Sequence, residues 1–234
     1  MNRYLFDPDQ AAEPVSLHVN AAFSGYQSIC ICDIIFRHVR RKRRCKMKKV
    51  KRRSVEPIYS MCVQPSFLIG TNNEDGSANF APITWVSVTH EHGDGYLLVI
   101  SMFGTKKTKQ NVLRTGIFSA NLVSTDMLPL MDYFGSCHGA DGKKDRIEYS
   151  VSRGEVLDVP ILDQSRWIYE CEVSGKTVTG DSTTFFCPVR NIQMDERLLC
   201  RDPFDVDLTV LDPVIYSGKY HSLGKLLGSI GDFL

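Results

Sequence analysis

Long apolar runs are missing from this 234-residue chain. The best candidate, residues 28–36, falls far short of the roughly 20 apolar residues a bilayer span needs, and it contains Asp33. A secretory signal is missing too. The positive charges follow that run instead of preceding it, and no small-residue cleavage site comes after it. None of the eight cysteines forms a C-x-x-C pair, and Cys30-Ile31-Cys32 has no matching second pair, so no metal site is expected there. Most cysteines sit in apolar runs, as in Met61-Cys62-Val63 and Phe186-Cys187-Pro188. They read as reduced, buried thiols of a cytoplasmic protein. No G-x-G-x-x-G precedes a helix, so any nicotinamide would have to dock without a dinucleotide-binding fold.

Net charge is also nearly absent, at +1, but that value conceals an asymmetry. Residues 1–53 hold 13 of the 28 Lys/Arg and 4 of the 27 Asp/Glu, leaving 15 and 23 for residues 54–234. Residues 37–53 carry twelve Lys/Arg and no acid. A like-charge run of that density repels itself and is normally disordered. It is either an arm for nucleic acid or another anionic surface, or a solvated leader in front of a natural start at Met47. The second reading is preferred, with 1–46 dispensable and 54–234 forming the functional domain. The acidic body speaks against a nucleic-acid role.

What the body does contain is strand pattern. Phe67-Leu68-Ile69-Gly70 is a short apolar run stopped by the turn residues Asn72-Asn73-Glu74-Asp75-Gly76. Residues 78–88 read as one strand, 90–95 as a turn and 96–100 as a third strand. A helix is expected over 106–114, capped by Thr105 and ended by Gly116 in a left-handed conformation. A strand over 117–123 follows. Ser124-Thr125-Asp126 should cap a short helix over 127–134, ending at Gly135, and 135–144 should be a mobile loop. Residues 167–178 and 184–194 read as two strands joined by a turn at 179–182. Such an order of antiparallel strands predicts a mainly β barrel with a few peripheral helices. The glycine-punctuated tail, 216–234, is too apolar to hang free. It should pack on the body or on a second subunit.

The chemistry concentrates between Asn79 and Asn111. Thr105-Lys106-Lys107-Thr108 opens the expected helix with hydroxyls, two lysines and unpaired amides, which together suit a phosphate. Pro82 has no N–H, so its strand must lie at an edge or bulge, with backbone groups around Pro82 to Thr84 turned toward a ligand. Trp85 either flanks a flat ring or fills the core. These features suit flavin mononucleotide (FMN). The plainer alternative is a buried strand followed by an ordinary surface helix with lysines.

The ordered set Asp75-Gly76-Ser77-Ala78-Asn79-Phe80-Ala81-Pro82-Ile83-Thr84-Trp85, then Thr105-Lys106-Lys107-Thr108 with Asn111, then Gly116-Ile117-Phe118-Ser119-Ala120-Asn121-Leu122, resembles the flavin reductase-like, FMN-binding split-barrel family with its flavoredoxin-type members. Pro213-Val214-Ile215-Tyr216 and Tyr220-His221-Ser222-Leu223-Gly224 resemble its closing segment. The likeness covers about residues 54–234. It implies a split β-barrel, a homodimer, and FMN near the subunit interface. It implies that Asn79, Ala81, Pro82, Ile83, Thr84 and Trp85 line the ring or ribityl chain. Ser101, Met102 and Phe103 would lie beside it, and Thr105, Lys106, Lys107, Thr108 and Asn111 would hold the phosphate. The chain departs from the family pattern at the loop 139–146 and at 180–185, which lacks the histidine many members place there.

The activity implied is an oxidoreductase that takes electrons from NADH or NADPH through FMN to a flavin, metal or protein acceptor. The alternative is a non-catalytic FMN electron carrier. No catalytic acid or base is named, because the cofactor carries the chemistry. His90-Glu91-His92 sits in a solvent turn and offers two ligands at most, so no metal is expected. Cys137-His138 are adjacent and should not form a nucleophile–base pair.

Overall fold

Alternation along single strands builds the sheet. In β5 (Tyr96–Phe103), Leu98, Ile100 and Met102 are buried, while Leu97, Val99 and Ser101 lie half-buried on the other face. The computed structural model describes residues 49–57, 62–90, 95–136, 148–200, 202, 205–229 and 232. The chain divides into two units, residues 1–54 and 55–234. Of the first, only 49–54 are described, and they are exposed without helix or strand. The Met47 start and most of the basic run lie outside the described residues, as do the loop beyond Ser136 and the Cys137-His138 pair. No helix among the described residues is long and apolar enough to cross a membrane.

In chain order the remaining strands are β1 (Gln64–Pro65), β2 (Phe67–Asn72), β3 (Ala78–Ile83), β4 (Val86–His90), β6 (Ile117–Leu122), β7 (Val151–Arg153), β8 (Pro160–Leu162), β9 (Trp167–Glu172), β10 (Gly175–Thr179), β11 (Ser182–Met194), β12 (Val214–Tyr216) and β13 (Tyr220–Ser222). The helices are α1 (Lys107–Thr115), α2 (Leu128–Ser136) and α3 (Leu208–Leu211). One eight-stranded sheet runs β3-β2-β6-β9-β11-β5-β4, with β10 also paired to β11. The long strand β11 joins the two halves. Ser182 to Pro188 pair with β5, Val189 to Met194 pair with β9, and the register shifts between Val189 and Asn191. Such a shift bends a strand and lets the sheet curl.

The curl is visible in the core. Ile83 on β3 and Val86 on β4 belong to one buried cluster with Phe67, Ile69, Leu98, Ile100, Phe118 and Phe185. Strands β3 and β4 are nevertheless the two ends of the sheet path. The sheet therefore wraps around one core and is left open along a seam, and the fold is the expected mainly β split barrel. A second cluster fills the space between the outer face of β2–β3 and α2, with Leu68, Phe80, Leu130, Met131 and Phe134.

Several local expectations need correction. Residues 78–88 form two strands, not one, because the chain turns at Thr84-Trp85, where the Val86 N–H donates to Thr84 O at 2.9 Å. Pro82 does lie on an edge strand, opposite Leu68. Residues 167–178 also split, since the N–H of Val173 goes to Gly116 O and that of Ser174 to Phe186 O as the chain crosses from β6 to β11. Gly135 lies inside α2, not at its end. Gly116 does end α1, at φ 73°. The β10–β11 hairpin turns at Gly180-Asp181 with Gly180 at φ 55°. In the tail, β12 pairs with β1 on one side and β13 on the other, but 223–229 are exposed, so this stretch does not pack on its own body.

Candidate functional site

The helix α1 starts without a side-chain cap. Its N-cap is Lys106, not the expected Thr105; Lys106 makes no side-chain cap bond, and the first turn holds no acid. The leading amides of a helix have no intrahelical acceptor and carry the positive end of its dipole. Here they open beside Thr105, Lys106 and Lys107, all exposed. Gly104 takes φ 68°, with open space where a side chain would stand. Its N–H donates to Asp181 O at 3.1 Å, and Lys109 Nζ donates to the same carbonyl at 2.9 Å. The hairpin tip is thereby tied to the corner. Lys107 lies 3.9 Å from Glu74, a loose exposed pair that leaves its charge available. Such an arrangement of amides and cations suits an anion.

Beneath it lies a buried polar network. Asn79 Nδ2 donates to Thr108 Oγ1 at 2.8 Å and to Thr71 Oγ1 at 3.2 Å. Asn111 Nδ2 donates to Asn73 Oδ1 at 2.9 Å and to Thr71 Oγ1 at 3.1 Å. Thr108 and Asn111 are 2% and 0% exposed, so their side chains turn into the protein and not toward solvent. Asn111 Oδ1 is buried with no hydrogen-bond partner among the described residues.

On the other side of the corner is the seam. The Ser101 N–H donates to Trp85 O at 3.0 Å, and the Ser101 and Thr184 hydroxyls lie 2.6 Å apart. Trp85 is 45% exposed and Phe103 55%, so Trp85 is no core filler. Ala81, Pro82 and Thr84 are half-buried. Pro82 leans toward α2, where a Cβ placed on Gly135 would lie 3.3 Å from its Cγ. Ile83 and Met102 point into the barrel core, leaving only their backbone for a ligand.

The fold thus brings Thr84, Trp85, Ser101 and Phe103 to the seam, and Thr105, Lys106 and Lys107 to the helix start one short step along the chain. Asn79, Thr108 and Asn111 are gathered below that start. Thr71, Asn73, Asp181 and Thr184 were not anticipated. Thr71 had a signal, since it follows Phe67 and Ile69 on the inward face. Asp181 and Thr184 had none beyond a turn.

The strongly perturbed groups lie elsewhere. Glu170 is fully buried, yet its carboxyl falls to about 2: burial pushes it up, but five N–H donors outweigh that. Burial raises the Cys187 thiol to about 12 and that of Cys171 well above its usual value, so neither is a nucleophile. His90 packs edge-on to Tyr96, and the described residues hold no group of three metal-ligating side chains. A cleft of about 430 Å³ is lined by Arg166, Gln193, Asp195 and Arg197 among others, at the far end of β11 from Ser182. Its arginines are already paired, with Asp126 and Asp195. The corner at the start of α1, with Lys106, a loosely paired Lys107 and open amides, suits an anion better.

The flavin reductase like domain profile matches residues 59–224. Among curated proteins the chain has no match. Among solved structures it is similar to flavoredoxin from Methanosarcina acetivorans, at 22% identity and TM-score 0.66, covering 80% of this chain and 97% of that one. Flavoredoxin of Desulfovibrio vulgaris (Miyazaki F) gives 21% identity and TM-score 0.65, covering 80% and 98%. A protein with a split barrel domain from Shewanella frigidimarina gives 20% identity and TM-score 0.65, covering 74% and 88%.

Proposed function

The chain belongs to the flavin reductase like family, and on that premise we propose that it binds FMN and works as an oxidoreductase of the flavin reductase type. Electrons pass from NADH or NADPH to a flavin, metal or protein acceptor. The observation that carries this reading is the uncapped start of α1, with Lys106 and Lys107 exposed beside it and Trp85 and Phe103 exposed at the adjoining seam. FMN fits that arrangement. Its phosphate suits the open amides and cations, and its ring suits the aromatic seam.

Bound FMN would supply the hydride and electron chemistry. The chain's own residues bind, orient and shield. Lys106 and Lys107 neutralise the phosphate, and the amides of the first turn of α1 direct it. The backbone at Thr84-Trp85 meets the ring edge, and Trp85 and Phe103 keep water from its flanks. Ser101 and Thr184, held together, fix β5 against β11 and would steady the wall of a ring site. The exposed apolar residues Trp85, Val88, Tyr96 and Phe103, with Leu226 and Leu227 of the tail, support a homodimer that covers them.

The test is direct. Purified full-length protein should release FMN on denaturation, or take it up stoichiometrically in calorimetry. It should then oxidise NADH or NADPH steadily with free flavin or ferric iron as acceptor. Failure to take up FMN would remove the whole reading. FMN uptake with reduction but no turnover would instead identify an electron carrier.

A further inference from the structure

Thr71 ends the buried part of β2 and has 0% of its surface exposed, yet it brings a hydroxyl into the interior. A buried hydroxyl costs free energy unless it is used. Here it is used twice, as acceptor from Asn79 Nδ2 at 3.2 Å and from Asn111 Nδ2 at 3.1 Å. Asn79 belongs to β3 and Asn111 to α1, so one oxygen couples three elements. The second hydrogen of each amide is also engaged, by Thr108 Oγ1 at 2.8 Å and by Asn73 Oδ1 at 2.9 Å. All four N–H groups of the two amides are thus directed inward, and neither amide has a hydrogen left for a ligand.

The placement along α1 gives this network its meaning. Thr108 is the second residue of the helix and Asn111 the fifth. Both anchors lie at the end whose leading amides are open. Farther along, Val112 packs in the barrel core and Arg114 Nη2 donates to Asn72 O at 2.5 Å. The apolar contact at Val112 holds the helix to the barrel without choosing its rotation, since such contacts are non-directional. Hydrogen bonds at Thr108 and Asn111 are directional. They set which way the first-turn amides and Lys106 and Lys107 face.

We propose that Thr71 is a positioning residue for the phosphate end of the flavin site: it touches no ligand, and orients the start of α1 through Asn79–Thr108 and Asn111. This rests on the FMN reading above and assigns a new residue to it. The plain alternative is that Thr71 only stabilises the fold. The two differ in what they do to flavins with and without a phosphate.

The experiment uses the full chain, stripped of flavin, with FMN and riboflavin as paired probes. Thr71→Val keeps the shape and removes the hydroxyl, and Thr71→Ser keeps the hydroxyl. Thr71→Val should weaken FMN about tenfold, the scale of one lost buried hydrogen bond, and leave riboflavin within about twofold. Thr71→Ser should restore FMN affinity to within about twofold. Where Thr71→Val fails to fold, Thr108→Val cuts the same network at its helix end and should give the same FMN-selective loss. Equal weakening for both flavins, no weakening of FMN, or a Thr71→Ser variant as weak as Thr71→Val would overturn the assignment while leaving the FMN reading intact. A wild-type protein that binds neither flavin would overturn both.

Discussion

Glu170 should govern the acid stability of this fold. The carboxylate on β9 accepts from the backbone N–H groups of Glu155, Val156 and Leu157 at 2.9, 2.9 and 2.7 Å. Asn191 Nδ2 and Gln193 Nε2 add bonds of 2.7 and 2.9 Å from β11. One side chain therefore holds the 154–159 loop and crosses the β9–β11 pairing. Burial opposes ionisation, but the five donors prevail and draw the carboxyl from 4.5 to about 2. The folded value lies below the unfolded one, so the stabilisation is complete above the unfolded value and fades as pH falls toward about 2. At about 1.36 kcal/mol per unit, the gap amounts to about 3 kcal/mol near neutrality and about 1.4 kcal/mol near pH ~3. Glu170→Gln puts an NH2 group against donors that need an acceptor, and should lose about that much at neutral pH. Urea unfolding of both proteins at the two pH values gives the test. The difference between them should shrink by about 2 kcal/mol on acidification. A difference that ignores pH, or stays below about 1 kcal/mol at neutrality, would refute the reasoning.

Other outcomes follow from the same structure. Gly70→Ala should destabilise the fold by about 3 kcal/mol or more, measured by urea midpoint, because a Cβ there meets Pro160 O and Ser119 Oγ at 2.4 Å each. Lys106→Glu combined with Lys107→Glu should weaken FMN at least about tenfold in calorimetry by placing negative charge at a helix start, with riboflavin little changed. In native protein, Cys171 and Cys187 should resist alkylation at neutral pH while the exposed Cys62 and Cys200 react, as peptide mapping would read; rapid labelling of the buried pair would contradict their burial.

The fold class was legible because its signals are local and repeated. Leu98, Ile100 and Met102 alternate with less buried neighbours, and Gly116 and Gly180 take the left-handed conformations their turns need. Pro82 also announced an edge strand correctly. What could not be read was where a strand changes partners. Residues 78–88 carry unbroken strand character, yet β3 and β4 end up at opposite edges of the sheet, because closing the barrel demands the turn at Thr84-Trp85. The break between β9 and β10 arises the same way. Glu170 was invisible for a different reason: a lone acid in a strand looks like a surface residue until a distant loop supplies three amides. Thr108 and Asn111 fall between these cases. Their place beside the lysines was plain, but their inward direction depends on Thr71 and Asn73, some forty residues earlier on β2 and the turn after it.

The breaches of local rules cluster, and that clustering itself bears on function. A helix start without a capping side chain forgoes about 1 kcal/mol. A tryptophan and a phenylalanine nearly half exposed or more forgo part of their burial. A proline on the edge strand β3 removes one backbone N–H. Any one of these is ordinary in a stable protein. Here they fall within one stretch of seam and helix start, from Pro82 through Trp85 on one side and from Phe103 through Lys107 on the other, tied by the Ser101–Trp85 bond. Beneath that stretch every amide hydrogen of Asn79 and Asn111 is engaged. A region whose donors are engaged inside and open outside is not simply loose. Rigid support beneath open donors is what a binding site requires, because orientation fixed before binding is not lost again on binding. The same contrast accounts for the unequal roles within one helix: Thr108 and Asn111 hold it, while Lys106 and Lys107 present it.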